Sequence, residues 1–435
     1  MSNQATTEGA AAARPHTSHM RFFILGLITI GTMINYLDRT VLSVAAPFLS
    51  KDLGLDAAVM GLVFSAFSWT YATAQIPGGI FLDRFGARLT YGLSVTVWSI
   101  FTLLQGFAFN LGSLLAFRFG LGVAEAPCYP TNSRILSIWF PQAERARATG
   151  VYSVGQYFGF AFLSPALFWV VSSFGWRSLL IGVGVFGMIF GLAWFGLYRD
   201  PHKTMRVSQA ELDHIERGGG LAHAGERTPF SWSSIGKLIR KRQILGASIG
   251  QFASNSPLVF FLTWFPTYLA TERHMAWLKV GFFTVMPFIA ASVGVMAGGF
   301  ISDILLKRTG SASIARKLPV VGGLLLASTI VAANFVDSDP LVVAIMSVAF
   351  FGQGMCNLGW TLIADVAPKK LIGLTGGVFN LCANLAGIVT PLIIGLIVAR
   401  TGSFFYALAY IAFVALIGVA SYVLILGEVK RVEID

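Results

Sequence analysis

The chain has 435 residues, of which 55% are hydrophobic and only 12% are charged, with a mean hydropathy of +0.71. That charged share is about half the usual one for a soluble domain, which excludes a soluble globular protein and makes the chain a polytopic membrane protein. The net charge of +11 would suit nucleic acid only if the basic residues shared one soluble face.

A span needs roughly 20 apolar residues. On that scale the chain divides into twelve segments: 22–48, 58–80, 89–108, 111–138, 146–174, 177–198, 244–270, 278–302, 317–335, 340–366, 372–399 and 403–427. Of the 31 Lys and Arg residues, Lys51, Arg177, Arg273, Lys279 and Arg400 fall on one side, and Arg39, Arg118 and Arg134 lie inside spans. The remainder fall on the other side, so the positive-inside rule makes both termini cytoplasmic. The basic balance is topology, and no nucleic-acid partner is expected.

Residues 1–20 are rich in Ala, Thr and Ser and lack a short apolar core with a cleavage site, which predicts a disordered cytoplasmic tail rather than a signal peptide. Span 1 carries Asn35, Asp38 and Arg39, three and four residues apart and so along one side of a helix. They sit halfway through the span, too deep for snorkelling; an internally neutralised pair that packs helices is the alternative to a functional role. Span 2 places Ser68, Tyr71 and Gln75 on one face, as helix glue or as ligand contacts. It ends in the pattern G-x-x-x-D-R-x-G-x-R, with Gly79, Asp83, Arg84, Gly86 and Arg88. Its glycines permit close helix approach, and Asp83 can accept from basic side chains or cap a helix.

Span 4 is the anomaly. In RFGLGVAEAPCYPTNSR, Arg118, Glu125 and Asn132 recur every seven residues and form one polar stripe, with Arg134 nearer the cytoplasmic end as a gate or anchor. Ionised groups inside a bilayer are costly, so such groups line an aqueous path or pair together.

A weaker copy of the loop pattern follows span 8, with Gly299, Asp303, Lys307 and Arg308, and GQYFGFAFLSP of span 5 has a counterpart in NLAGIVTP of span 11. Two parallel copies of a six-span unit are the simplest account. The fold expected is all-α, with twelve transmembrane helices in two pseudo-symmetric six-helix bundles, 21–199 and 244–427. A cytoplasmic linker, 200–243, joins them, and a tail, 428–435, follows. In the linker, Ser208 and Glu211 form a capping-box pattern and Gly218 to Gly220 end a short helix; it reads as a strap or a flexible connection, with no chemistry assigned.

The second half supplies neutral groups: Gln251, Asn255 and Trp264 in span 7, Asn357, Trp360, Thr361 and Asp365 in span 10, Asn380 and Asn384 in span 11. Their grouping one turn apart favours a shared polar cavity. Cys128, Cys356 and Cys382 lie in spans and read as packing residues, so no disulfide or metal is implied. All six histidines lie in tails or loops, which leaves any intramembrane proton chemistry to carboxylates.

The twelve spans and the repeated loop pattern resemble the major facilitator superfamily. NYLDR, FSAFSWTYATAQIPGG, RFGLGVAEAPCYPTNSR, FFLTWFPTYL and GLTGGVFN narrow the resemblance to the anion:cation symporter family, in its bacterial sugar-acid branch that takes up galactonate, glucarate or hexuronates. It implies proton-coupled uptake of an organic anion by alternating access in the bacterial inner membrane, by a monomer, with protons as coupling ion and no other cofactor. Asp38 and Glu125 match the proton-handling carboxylates, and Arg39 and Arg118 the motif arginines, Arg118 being the better candidate for the substrate carboxylate. Tyr71, Gln156, Gln251, Trp360 and Asn380 match positions lining the sugar-acid site. TLIADVAP after the span 10 tryptophan departs from the pattern of hexarate carriers.

A guanidinium in a poorly hydrated cavity recognises a carboxylate by two charged hydrogen bonds, and neutral amides suit a polyol chain. With Arg118 and Glu125 on one stripe, protonating Glu125 would free nearby cationic charge for the substrate. A hexonate or hexarate is expected, a hexuronate or another small organic anion being the alternative. An exporter of the same superfamily would be expected to show apolar cavities, and a membrane enzyme or sensor would need a catalytic cluster or soluble domain that the sequence lacks.

Overall fold

The computed structural model describes residues 18–204, 206–220, 232–368 and 371–433. All but the last three residues of the expected tail 1–20, and residues 221–231 of the linker, lie outside the described residues. In chain order the helices are α1 (Met20–Asp52), α2 (Ala57–Gln105), α3 (Leu111–Glu125), α4 (Cys128–Trp139), α5 (Gln142–Leu197), α6 (Gln209–Arg217), α7 (Trp232–Ile239), α8 (Arg242–Thr263) and the single turn α9 (Phe265–Thr267). After these come α10 (Trp277–Thr309), α11 (Ala312–Ser328), α12 (Asp339–Met355), α13 (Gly359–Val366), α14 (Ile372–Thr401) and α15 (Phe405–Ala420).

Two of these elements are hairpins of spans. Gly86 (φ 78°, ψ 168°) interrupts α2, and Gly175 (φ 82°, ψ 167°) interrupts α5, in a backbone region essentially reserved for glycine. Each reverses the chain: the limb of α2 after Gly86 lies along the end of α5, where Trp194 Nε1 donates to the Arg88 carbonyl at 3.1 Å. Three other spans are broken rather than reversed. Span 4 is α3 plus α4, span 7 is α8 plus α9, and span 10 is α12 plus α13 with a 3-10 turn, Cys356–Leu358, between them. Counted this way the described residues make twelve spans. α1 outruns its apolar window, covering Met20–Asp52 rather than 22–48, because polar terminal turns stay helical.

The first six spans pack among themselves, α1 on α5 and α2 on α3 and α5; the last six do likewise, α10 on α11 and α12 and α8 on α14 and α15. The halves meet along two seams, α2 with α14 and α5 with α10. At the first, Gly61 and Gly395 bring the backbones together: a Cβ on Gly61 would stand 2.5 Å from the Pro391 carbonyl oxygen. Aromatic contacts continue the seams, Phe64 on Trp264 and Phe160 on Phe288. Hydrogen bonds also cross between the halves, Asn380 Nδ2 to Gln75 Oε1 at 3.3 Å along the first seam and the Tyr157 hydroxyl of α5 to Gln353 Oε1 of α12 at 3.4 Å. At the end bearing the termini a cavity of about 760 Å³ opens, lined by Asp83, Pro130 and Arg134 and by His202, Lys203 and Glu216 of the linker.

The linker is more engaged than its sequence suggests. Ser208 caps α6 by accepting from the Glu211 amide at 3.3 Å, but the Glu211 side chain does not complete the box. It is 1% exposed and caps α1 instead, accepting from the Met20 and Arg21 amides at 3.0 and 3.1 Å and from the Ser18 hydroxyl. A carboxylate at a helix N-terminus satisfies orphan donors and opposes the helix dipole. His214 lies 3.0 Å from Glu144 at the start of α5, and the Gln142 amide donates to the Gly218 carbonyl at 2.8 Å, so α6 fastens both α1 and α5. Glu211→Ala is expected to cost about 2 kcal/mol and to lower the thermal inactivation temperature of the solubilised protein, with Glu211→Gln intermediate. Equal inactivation temperatures for wild type and Glu211→Ala would dismiss this contact as a fastener.

Candidate functional site

Four charged side chains meet inside the first half. Asp38 and Arg39 come from the middle of α1, Arg118 and Glu125 from α3. Asp38 and Glu125 are fully buried and Arg118 is 2% exposed. The Nε and a terminal nitrogen of Arg39 both converge on Oε1 of Glu125. The Arg39 guanidinium also lies over the rings of Tyr36, Phe67 and Tyr71, 4.7 to 5.2 Å from their centroids. This is the geometry of a desolvated cation held by a carboxylate and by π faces.

The sequence stripe therefore needs correcting in one respect. The glutamate is engaged by Arg39 of the neighbouring helix and not by Arg118 seven residues before it. Arg118 lies over Phe67, 5.4 Å from its centroid, and among the described residues its Nε and one terminal nitrogen have no acceptor. The stripe is also not one continuous helix. Pro127 and Pro130 supply no N–H, and α3 ends at Glu125, so the proton-handling candidate sits at a helix break. Beyond it, Asn132 donates to Thr32 of α1 at 3.1 Å.

Asp38 has different company. Its Oδ2 accepts from Trp98 Nε1 at 2.8 Å; among the described residues its Oδ1 meets no donor at hydrogen-bond geometry, and the Thr102 hydroxyl also acts on the carboxyl. Trp98 was not singled out by sequence; its signal was slight, one indole among Ser94, Ser99 and Thr102 in span 3.

The remaining candidates are spread over the facing walls. Tyr71 stacks on Phe67 at 5.2 Å, which commits its ring to the Arg39 cage. Gln156 accepts from the Tyr129 hydroxyl at 3.2 Å. In the second half Gln251 lies beside Ser254 and Gly359, Trp360 is 42% exposed with its edge on Phe379, and Asn380 reaches Gln75 across the seam. Asn255 is taken by the Ala383 carbonyl at 2.7 Å. Asp365 does not belong with this group: it pairs with Arg316 of α11 at 3.0 Å, and Arg316 also reaches Ser302. Tyr157 and Gln353, which join the halves, were not predicted.

The loop pattern resolves into separate jobs. Gly86 makes the reversal described above. Asp83 receives Arg134 at 3.3 Å, an ion pair between α2 and α4. Arg88 donates to the Phe195 carbonyl, and Arg84 lies over the Phe85 ring. Gly79 does not serve close helix approach, since a Cβ there would meet nothing within 4 Å; Gly78 does, 2.9 Å from Pro127 at the break of span 4. In the second copy Asp303 is exposed, and the charge pair at that end is Arg316 with Asp365.

Residues 28–391 match the family model described as Major Facilitator Superfamily. The chain belongs to that superfamily. It is 44% identical to a D-galactonate transporter of Escherichia coli over 97% of this chain and 98% of that one. It is 42% identical to a probable galactarate/D-glucarate transporter of Escherichia coli, over 98% and 97%, and 34% identical to a hexuronate transporter of Bacillus subtilis over 88% of each chain. In fold it resembles a bacterial homolog of the human lysosomal transporter Spinster in an inward-facing, unoccupied conformation (TM-score 0.75, 21% identity, 93% of this chain and 97% of that). The chain is thus a multi-pass transporter of the superfamily, not an enzyme. Its buried ion pair predicts strong coupling: Arg39→Ala or Glu125→Ala alone leaves an uncompensated buried charge, at about 3–5 kcal/mol, and the double variant is expected to recover about 2 kcal/mol. Thermal inactivation of the three variants checks this; strictly additive losses would contradict it.

Proposed function

We propose that this carrier couples inward proton movement to uptake of a sugar-acid anion of the hexonate or hexarate class, by alternating access in the bacterial inner membrane with both termini cytoplasmic. The observation that carries the proposal is Arg118: a nearly fully buried guanidinium with unclaimed donors, in the half of the molecule opposite a wall of amides and Trp360. Such a group calls for an anionic acceptor. The names of the relatives at 42–44% identity supply the substrate class.

The coupling follows from charge balance. Asp38, Glu125, Arg39 and Arg118 sum to zero when all are ionised, and a carboxylate arriving with one proton keeps that sum. A proton on Glu125 releases Arg39 from its ion pair, so both guanidinia can face the incoming carboxylate; proton and anion then favour each other by linkage. A hexarate dianion calls for two protons, and Asp38 is the second carboxyl available. A monoanion moved with two protons would carry positive charge inward, gaining about 2.3 kcal/mol per 100 mV, which current recordings distinguish from electroneutral uptake.

Uptake of labelled galactonate, galactarate, glucarate and hexuronates by proteoliposomes under an imposed pH gradient tests the substrate and the coupling together. Hexonates or hexarates should accumulate ahead of hexuronates, and substrate should alkalinise the medium around de-energised vesicles. Arg118→Lys is expected to weaken substrate binding about 100-fold, the loss of about 3 kcal/mol from a two-pronged charged hydrogen bond. Glu125→Gln should exchange substrate but not accumulate it, and full accumulation by that variant would remove Glu125 from the coupling.

A further inference from the structure

Asp38 differs from Glu125 in the kind of donor that holds it. Among the described residues the donor held at hydrogen-bond distance is the neutral indole of Trp98, on the limb of α2 after Gly86, and the Thr102 hydroxyl of the same limb is a second hydrogen-bonding group, also neutral. That indole is fully buried and set at an angle to Tyr91, which packs in turn on Trp194 at 4.3 Å between ring centroids. Its position is therefore fixed by packing and not by the carboxyl it touches. Facing Asp38 from α3 are Arg118 and Glu125, and from its own helix Arg39, already engaged by Glu125. From α2 comes Thr102, whose hydroxyl donates to the Trp98 carbonyl at 3.3 Å. α4 presents Asn132 and Cys128, and α8 and α9 carry no charged group after Arg242. α5 carries none between Arg147 and Arg177 or between Arg177 and its end, its titratable groups there being Tyr152 and Tyr157.

We propose that Trp98 is a positioning residue that holds the Asp38 carboxyl away from Arg118, reserving that guanidinium for substrate and leaving Oδ1 as the oxygen that takes up and releases the coupling proton. An indole N–H only donates, so its bond to Oδ2 persists whether or not Asp38 is protonated, and the proton must sit on Oδ1. Being neutral, the indole does not lock the carboxyl in its ionised form as a guanidinium would. Without that N–H, the charged donor facing Asp38 is Arg118, with two nitrogens unclaimed, and the Thr102 hydroxyl is only a neutral competitor for it. The resulting ion pair would compete with substrate and with the proton at once.

The inference rests on reading Asp38 as a proton-handling group, and the test separates the two. Trp98→Phe, Asp38→Asn and the double variant are reconstituted in proteoliposomes with galactonate. Substrate exchange reports binding without net proton movement, and uptake under a pH gradient reports coupling. Trp98→Phe should raise the half-saturating concentration in exchange about tenfold and shift the pH profile of driven uptake about one unit toward acid. Adding Asp38→Asn should restore the exchange affinity, because an asparagine cannot pair with Arg118 as a carboxylate does. A Trp98→Phe carrier with wild-type affinity and pH profile, or a double variant as weak as Trp98→Phe, overturns the role of Trp98. Full gradient-driven uptake by Asp38→Asn overturns the reading of Asp38 itself. If the smaller ring impairs folding, benzothienylalanine at position 98 removes the N–H while keeping the shape of the indole, with the same expected and opposing outcomes.

Discussion

The ion pair of Arg39 with Glu125 is the constraint on which the rest of the first half depends. Burying two full charges in a weakly polar interior costs several kcal/mol per ion after relaxation, and the structure offsets this with mutual attraction, an aromatic cage around the guanidinium and a helix break beside the carboxylate. α1 and α3 must then stay in register, and α2 must present Phe67 and Tyr71 at the same level. Once those positions are set, Arg118 is the cation left over. The molecule holds two arginines and two carboxylates in one place but pairs only two of them directly, which leaves one cation and one acid outside the ion pair.

The two halves carry unequal duties on a shared plan. Both break their fourth span, at Ala126 and Pro127 in one and over Cys356–Leu358 in the other. Broken helices at corresponding positions are where carriers place ligand-facing backbone and side chains. In the first half the break follows a charged residue, and in the second it precedes Trp360. The end bearing the termini shows a similar trade. The first half pairs Asp83 with Arg134, and the second pairs Arg316 with Asp365, so each half fastens its fourth span by a charge pair, to the second span in one and to the third in the other.

Much of this was legible in the sequence. Hydropathy delivered the twelve spans, the internal offset delivered the two halves, and charged side chains deep in apolar windows marked where a buried charge cluster would lie. What sequence could not supply was pairing across helices. Periodicity places Arg118 and Glu125 on one side of a helix but cannot say that Arg39, 86 residues away in the chain, reaches the glutamate first. The same limit hid Trp98 against Asp38 and moved Asp365 from the central cavity to Arg316. Local rules failed where a distant donor outcompeted a near one: Glu211 has its capping-box position, yet it serves the amides of α1. At Gly78 and Gly79 the pattern identified the right dipeptide and the wrong member of it, because only the packing of Pro127 distinguishes them.

The Glu211 cap also bears on biosynthesis. The first-turn amides of α1 leave the ribosome long before their acceptor, which emerges only after six spans have been made. Until residue 211 arrives, those amides must be served by water or headgroups at the membrane surface. Its arrival closes a long chain loop and buries a carboxylate, and with His214 and Gly218 just after it the first bundle gains late long-range contacts shortly before the second begins to be synthesised. The linker thus marks a boundary in time as well as in space, in keeping with the tendency of large proteins to fold unit by unit as they are made.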